Sequence, residues 1–262
     1  MQNNPCIQIK QKQFGAGTPL VCVPLVGNNE ASLYKQADAI VKASENATID
    51  VVEFRGDYFE GLGDKSRLKH CLEKLRETLS KQILLFTIRS ESEGGEPLAF
   101  QSPTLAEINE FVITNRLADL VDVELYSGEA SVKHLVSCAK ANGVYIIMSN
   151  HDFQATPAEE DMIERFCRMQ ELGADIAKIA VMPQSKKDVL TLLSATEHMN
   201  REFAKVPIVA ISMGGLGAIS RVSGEIFGSA MTFATLQHAS APGQIPIEKL
   251  QVLLNEIHCF CI

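Results

Sequence analysis

The run Asp175-Ile176-Ala177-Lys178-Ile179-Ala180-Val181-Met182-Pro183 reads as a buried strand with one amine planted in it. Burying an ammonium without a partner costs several kcal/mol, so a lysine in such a strand tends to be neutral and reactive. A neutral amine attacks carbonyls and forms Schiff bases. The bland alternative is a lysine that snorkels its charge back to water.

Outward from that strand, apolar β-rich runs recur at 20–26, 49–55, 82–88, 118–125, 144–149, 206–212 and 228–234, making eight with the run that holds Lys178. Amphipathic segments at 31–43, 66–80, 104–115, 129–141, 157–172 and 186–203 lie between them, and 246–258 reads as a terminal helix. Continuous apolar strands alternating with amphipathic helices imply a parallel sheet covered by helices. Eight such units in a chain of 262 residues match the size of an α/β fold of the (β/α)8 TIM barrel type. Residues 6–14 alternate ahead of the first unit and are read as a β-hairpin capping the barrel bottom. No linker or low-complexity tract interrupts the rhythm, so residues 1–262 are read as one barrel domain. An open doubly wound sheet is the second choice, but the first strand ends at Val26-Gly27-Asn28-Asn29, without the GxGxxG turn such a sheet usually carries. The cluster Gly214-Gly215-Leu216-Gly217 after the seventh strand fits either an anion-binding loop or a tight turn.

Composition narrows the partners. A net charge of −8 disfavours nucleic acid and anionic membranes. Seven scattered cysteines, odd in number and without CxxC, read as free thiols of a reducing cytoplasm. The N-terminus shows no signal-peptide pattern, and no apolar run reaches the ~20 residues of a membrane span. The cluster His258-Cys259-Phe260-Cys261 is not read as a metal site, because no matching ligands lie elsewhere. His70, His134, His198 and His238 are expected at the surface.

Barrel active sites sit at the C-terminal strand ends. There this chain places Glu53-Phe54-Arg55, Arg89 followed by Glu93, Asp122 with Glu124, His151, Lys178, Ser220-Arg221 and a final loop carrying Ser240 and Gln244. Three arginines (Arg55, Arg89, Arg221) around one mouth point to an anionic, hydroxylated small molecule, since guanidinium grips carboxylate bidentately. A lysine and a histidine on adjacent strands suit iminium chemistry. The lysine condenses with a ketone, the iminium acidifies the neighbouring C–H, and the histidine moves protons. No cofactor is needed to hold the electrons.

The chain resembles type I 3-dehydroquinate dehydratase. The resemblance rests on Val52-Glu53-Phe54-Arg55, on Leu84-Leu85-Phe86-Thr87-Ile88-Arg89-Ser90 with Glu93-Gly94-Gly95, and on Ile147-Met148-Ser149-Asn150-His151-Asp152-Phe153. It continues through Lys178-Ile179-Ala180-Val181-Met182-Pro183, Ile219-Ser220-Arg221 and Ala239-Ser240-Ala241-Pro242-Gly243-Gln244. It implies a (β/α)8 barrel, usually dimeric, that converts 3-dehydroquinate to 3-dehydroshikimate by syn elimination. Lys178 would form the Schiff base with the C3 ketone. His151 would take the C2 proton and protonate the leaving C1 hydroxyl, and Glu93 would orient His151. Glu53, Phe54, Arg55 and Arg89 match the run that holds the ring hydroxyls. Arg221, Ser240 and Gln244 match the carboxylate side, with Phe227 and Met213 packed around the ring. Some members carry Ser where this chain has Pro24, Lys-Thr where it has Asn28-Asn29 and Ser-Lys where it has Gly214-Gly215. Proline offers neither hydroxyl nor N–H, so no substrate bond is assigned to the first strand. Asp122 and Glu124 are read as supports behind the site. Two alternatives stand beside this reading: a class I Schiff-base aldolase, which also carries its lysine on the sixth strand, and a binding-only relative that keeps the fold.

Overall fold

The computed structural model describes residues 5–98, 104–236 and 240–261. Two short antiparallel strands, β1 (Ile7–Ile9) and β2 (Lys12–Phe14), precede eight parallel ones. These are β3 (Leu20–Leu25), β4 (Val51–Arg55), β5 (Ile83–Thr87), β6 (Leu120–Glu124), β7 (Tyr145–Asp152), β8 (Ile176–Val181), β9 (Ile208–Ser212) and β10 (Met231–Thr235). They pair in sequence order, and β10 returns to pair with β3. The ring closes between β9 and β10, where the Ala230 N–H donates to the Ile208 carbonyl at 2.8 Å beside a parallel bridge from Ile208 to Ser229. A two-residue strand β11 (Ile245–Pro246) runs parallel to β10 at the rim.

The outer layer is made by α1 (Glu30–Ala43), α2 (Lys65–Thr78), α3 (Leu105–Thr114), α4 (Glu129–Asn142), α5 (Glu159–Glu171), α6 (Lys186–His198) and the terminal α9 (Ile247–Cys261). Two further helices, α7 (Ala218–Val222) and α8 (Gly224–Phe227), follow β9. Their few residues carry too little periodicity to be read from sequence. A π-helical turn, Met199–Phe203, extends α6. Reciprocal capping boxes start α1 (Asn29 with Ser32), α3 (Thr104 with Glu107) and α6 (Ser185 with Asp188), satisfying N–H groups that would otherwise lack partners.

Strand alternation divides the barrel interior by height. Near the N-terminal ends the inward side chains are Cys22, Val51, Ile83, Leu120, Ile147 and Ile176, packed as one apolar cluster. Two residues further up, or four on β5 where Leu85 still belongs to the apolar cluster, the inward positions become Glu53, Thr87, Asp122, Ser149 and Lys178, all buried. The hairpin closes the lower end as expected: Ile9 and Phe14 insert into the apolar cluster. Lys12 pairs with Asp50 at 2.7 Å and Lys10 with Asp119 at 2.8 Å. Asp50, Asp119 and Asp175 each precede an even-numbered barrel strand and accept a backbone N–H from the strand before it: Val21, Leu84 and Ile146 at 2.9, 2.8 and 2.7 Å. Ser229, preceding β10, does the same for Ala210 at 3.0 Å. The barrel's lower edge is thus stitched by side chains, which leaves its upper edge to carry chemistry.

The plug generates a first expectation. Phe14→Ala removes a completely buried ring and should cost about 3–5 kcal/mol of stability, read as a lower urea midpoint. The Michaelis constant should stay close to wild type, because the site lies at the opposite end of the barrel.

Candidate active site

The upper end of the barrel holds an open pocket of about 490 Å³, counted with the solvent-filled space at its mouth. Glu53, Arg55, Arg89, Glu93, His151, Lys178, Arg221, Ser240 and Gln244 all line it. Glu53, Arg55, His151 and Lys178 converge as inward-facing strand residues, and Arg89, Glu93, Arg221, Ser240 and Gln244 reach the same end from the segments that follow the strands. Lys178 pairs in register with Ser149, and His151 with Ala180, so the histidine stands one step above the lysine on the neighbouring strand.

Lys178 is buried, with only 4% of its surface exposed. Its Nζ lies 3.8 Å from Asp122 Oδ2 and 4.7 Å above the centre of the Phe233 ring. Burial lowers its pKa from the ordinary value, against the opposing pull of Asp122 and Glu53. Asp122 is an ionised carboxylate, yet its oxygens are committed elsewhere. Arg89 donates to Oδ2 at 2.7 Å and Ser149 donates to Oδ1 at 2.6 Å. Burial by itself would raise the Asp122 pKa, but Arg89 and then Lys178 bring it below the ordinary value. The nearest carboxylate is therefore held by an arginine, and the amine keeps only the longer ion pair to it at 3.8 Å.

Arg89 organises the back wall. Its Nη1 donates to Glu124 Oε1 and to Ser149 Oγ, both at 2.9 Å. Burial disfavours its charge, but Asp122 and Glu124 more than offset that and keep it a guanidinium. Asp122 and Glu124 thus hold the arginine from behind, as the sequence reading favoured.

Glu93 reaches across from the loop after β5. Its Oε2 accepts the His151 backbone N–H at 3.0 Å and sits 2.9 Å from Nδ1 of the ring, while Oε1 accepts from Asn150 Nδ2 at 3.0 Å. Gly94 allows the approach. It has φ of +84°, and a Cβ there would fall 2.4 Å from the Phe153 ring. Burial, followed by the charge of Glu124, pushes the Glu93 carboxyl up to about 7. Burial, then Arg89, Lys178 and Arg55, drive His151 well below its ordinary value. The histidine is therefore a neutral ring oriented through Nδ1, with Nε2 as its second nitrogen.

The remaining groups split into two kinds. Arg55 is gripped by Asp57 at 2.9 and 2.7 Å, and its Nη1 lies 3.4 Å from the Ser240 carbonyl. Arg221 is almost completely buried and, among the described residues, has no carboxylate partner: Nη2 donates to the Pro242 carbonyl at 2.9 Å, and Nε finds no partner there. Burial lowers its guanidinium to about 10. Ser240 and Gln244 bond to each other through Gln244 Nε2 to Ser240 Oγ at 3.0 Å. The bidentate argument made from three arginines therefore narrows. Arg55 and Arg89 spend their forks on internal carboxylates, and among the described residues Arg221 is the lining arginine left for an anion. Ala239, from the same quoted loop, and His238 lie outside the described residues.

Two sequence assignments need correction. Phe54 does not face the cavity. Strand alternation turns it outward between Glu53 and Arg55, where it stacks on Phe86 at 5.6 Å and packs with the helix-side core. Phe227 sits in α8, outside the cavity lining. The ring that meets Lys178 is Phe233 on β10. The same period-2 rule, applied to Met231-Thr232-Phe233, was the available signal for it. Met213 does line the cavity, together with Phe153, Ala180 and Ile211. The glycines after β9 behave as a tight turn: a Cβ at Gly217 would lie 2.1 Å from the Ser212 carbonyl, and the Gly214 N–H is bound to the Pro242 carbonyl. His258 bonds to Glu225 at 2.8 Å, and among the described residues no cluster of metal-ligating side chains forms.

The family model described as type I 3-dehydroquinase matches residues 21–260. The chain is 46% identical to a 3-dehydroquinate dehydratase of Listeria monocytogenes over 252 residues, covering 96% of this chain and 98% of that protein. A crystal structure of type I 3-dehydroquinate dehydratase from Clostridium difficile, with covalently modified comenic acid, superposes with a TM-score of 0.92 at 43% identity, covering 98% and 99% of the two chains. The 3-dehydroquinate dehydratase of Geobacillus kaustophilus gives 0.94 at 35% identity over 100% of both.

The Glu93–His151 pair has a signature in stability against pH. Folded Glu93 holds its proton from the ordinary 4.5 up to about 7, so folding is weakened as pH rises across that window. Folded His151 refuses a proton that the unfolded chain accepts below 6.5, so folding is weakened as pH falls there. The two slopes oppose each other in the wild type. Glu93→Gln should expose a melting temperature that climbs with pH toward 6.5. His151→Asn should expose one that declines from 4.5 to about 7. Identical pH profiles in both variants would remove this account of the pair.

Proposed function

The chain belongs to the type I 3-dehydroquinase family and dehydrates 3-dehydroquinate in the shikimate pathway; from that premise we propose that Lys178, His151 and Glu93 carry the reaction. The observation that supports the assignment is a buried, depressed-pKa amine whose nearest carboxylate, at 3.8 Å, is already bound by Arg89. Lys178 Nζ adds to the C3 ketone and, with loss of water, becomes an iminium cation. His151 Nε2 removes the C2 proton, and the electron pair is held in the resulting enamine. The enamine then expels the C1 hydroxyl, which leaves as water after taking that proton from His151. Hydrolysis returns the free amine. Glu93, through Nδ1, keeps the ring oriented and offsets the imidazolium charge between the two proton transfers. The iminium serves as the electron sink for the C2–H electron pair, so the scheme uses no cofactor.

Glu53, Arg55 and Arg89 face the ring hydroxyls in this reading, and Arg221 grips the carboxylate with Ser240 and Gln244 beside it. A sugar-phosphate aldolase would call for a dianion site. Among the lining arginines of the described residues only Arg221 is left without a carboxylate, which suits one carboxylate better than a phosphate. Residues 1–262 act as a single catalytic domain, in the cytoplasm and as a homodimer. Supporting these placements, none of the cysteines is disulfide-bonded among the described residues, and no helix there is long and apolar enough to cross a membrane. Exposed Leu216, Ile219, Ile226, Val252 and Leu253 lie on or beside α7, α8 and α9, three helices packed on one another.

Lys178→Ala should abolish both enone formation from 3-dehydroquinate and the borohydride-trapped adduct. Retention of turnover would remove the iminium from the mechanism. His151→Ala should slow elimination by on the order of 10²–10⁴ while the trappable Schiff base still accumulates; an unchanged rate would move the proton transfer to another group. Sedimentation at micromolar concentration tests the dimer, and a monomer mass would refute it.

A further inference from the structure

We propose that Asp57 is a positioning residue that locks the substrate grip and the proton-transfer pair into one rigid unit, by holding Arg55 with the same carboxylate that staples shut the loop carrying Glu93. The inference rests on the roles given above to Arg55, Glu93 and His151. Asp57 lies in a 3-10 turn, Gly56–Tyr58, directly after β4, and its side chain has no exposed surface. On its face the contact with Arg55 is an ordinary internal salt bridge. The remaining contacts of the carboxylate argue for more.

Each carboxylate oxygen takes two donors, one from each partner. Oδ1 accepts Arg55 Nε at 2.9 Å and the backbone N–H of Arg89 at 3.3 Å. Oδ2 accepts Arg55 Nη2 at 2.7 Å and the backbone N–H of Glu96 at 3.2 Å. Arg89 and Glu96 bracket the loop whose 3-10 turn, Glu91–Glu93, presents Glu93 to His151. Within the bracket the loop is closed on itself by the Gly95 N–H to the Ser90 carbonyl at 2.8 Å. One buried anion thus fixes both ends of the loop and, through the opposite edge of its oxygens, aims the Arg55 fork. The arginine's Nη1 is left toward the cavity and the Ser240 carbonyl. Such an arrangement matters for rate because a displacement of the base by about 1 Å can cost about 10²-fold.

The test is Asp57→Asn, alone and in an Arg55→Ala background, with steady-state kinetics on 3-dehydroquinate. The amide cannot accept at both oxygens: its NH₂ faces two donors, so half of the staple becomes repulsive. Alone, the substitution should raise KM roughly tenfold through the loosened Arg55 and lower kcat by about 10²-fold through the displaced Glu93 and His151. In the Arg55→Ala background the KM effect should vanish, while the kcat loss should persist at similar size. A kcat loss that disappears in that background would overturn the proposal, since Asp57 would then act through Arg55 alone. An unchanged kcat in the single variant would overturn it as well. Should Asp57→Asn not fold, Asp57→Glu keeps the buried charge but shifts the oxygens by one methylene, and wild-type kcat in that variant sinks the idea. Failure of the underlying mechanism would show separately, as absence of a borohydride-trapped Lys178 adduct in the wild-type protein.

Discussion

The commitment of Asp122 to Arg89 is the interaction on which the site depends. Two opposite charges in contact inside a protein attract strongly enough to hold a lysine as ammonium, and a protonated amine cannot attack a ketone. Here the carboxylate nearest to Lys178 gives its best geometry to Arg89 at 2.7 Å and to Ser149 at 2.6 Å, leaving the amine at 3.8 Å. Burial then tips the lysine toward its neutral form. The same negative charge remains close enough to stabilise a cation at that nitrogen once the iminium has formed, and the Phe233 face at 4.7 Å adds to it. Asp122 acts on either cationic form of that nitrogen, and it is burial that disfavours the resting ammonium.

A barrel interior can carry this density of ionisable groups only because they cancel in small sets. Arg55 is matched by Asp57, and Arg89 by Asp122 and Glu124. Glu93 and His151 share the burden by shifting in opposite directions toward neutrality. Arg221 stands apart, with burial opposing its charge and no carboxylate to relieve it. An uncompensated buried guanidinium is costly in the free enzyme, and in the proposed function the substrate carboxylate is what offsets that cost. The lower half of the barrel contributes an apolar floor plugged by Ile9 and Phe14 of the hairpin.

What could be read in the residues follows from the range of the interactions involved. The eight barrel strands were legible because being buried on both faces leaves long apolar runs, and their observed limits differ from the reading mainly at the ends. Strand β7 continues to Asp152 rather than stopping at Ser149, which places His151 on the strand itself. Alternation was the neglected signal: it turns Phe54 outward and Phe233 inward, and it needs no partner to be known. The helices α7 and α8 were not legible, since five and four residues give no helical period. Least accessible was the wiring of charge. Nothing in the order of residues says that Arg89 will take Asp122 and Glu124, or that Asp57 will bond the amides of Arg89 and Glu96, because those pairings exist only after non-adjacent segments have been brought together.

The charges of the three central groups also explain why the fold need not rearrange during the reaction. In the proposed mechanism, when the iminium loses the C2 proton it becomes a neutral enamine, and His151 becomes an imidazolium at the same moment. The positive charge moves across the cavity, from the nitrogen near Asp122 to the ring beside Glu93, and the total is conserved. Each end of that path already has a carboxyl group in place: Asp122, ionised and anchored by Arg89, and Glu93, held by Asn150 and the His151 backbone and able to give up its proton as the ring becomes charged. Stabilising dipoles and charges that are fixed before the reaction cost no reorganisation during it. A barrel whose lower edge is stitched by buried side chains and whose upper loops are tied to internal carboxylates is suited to hold them still.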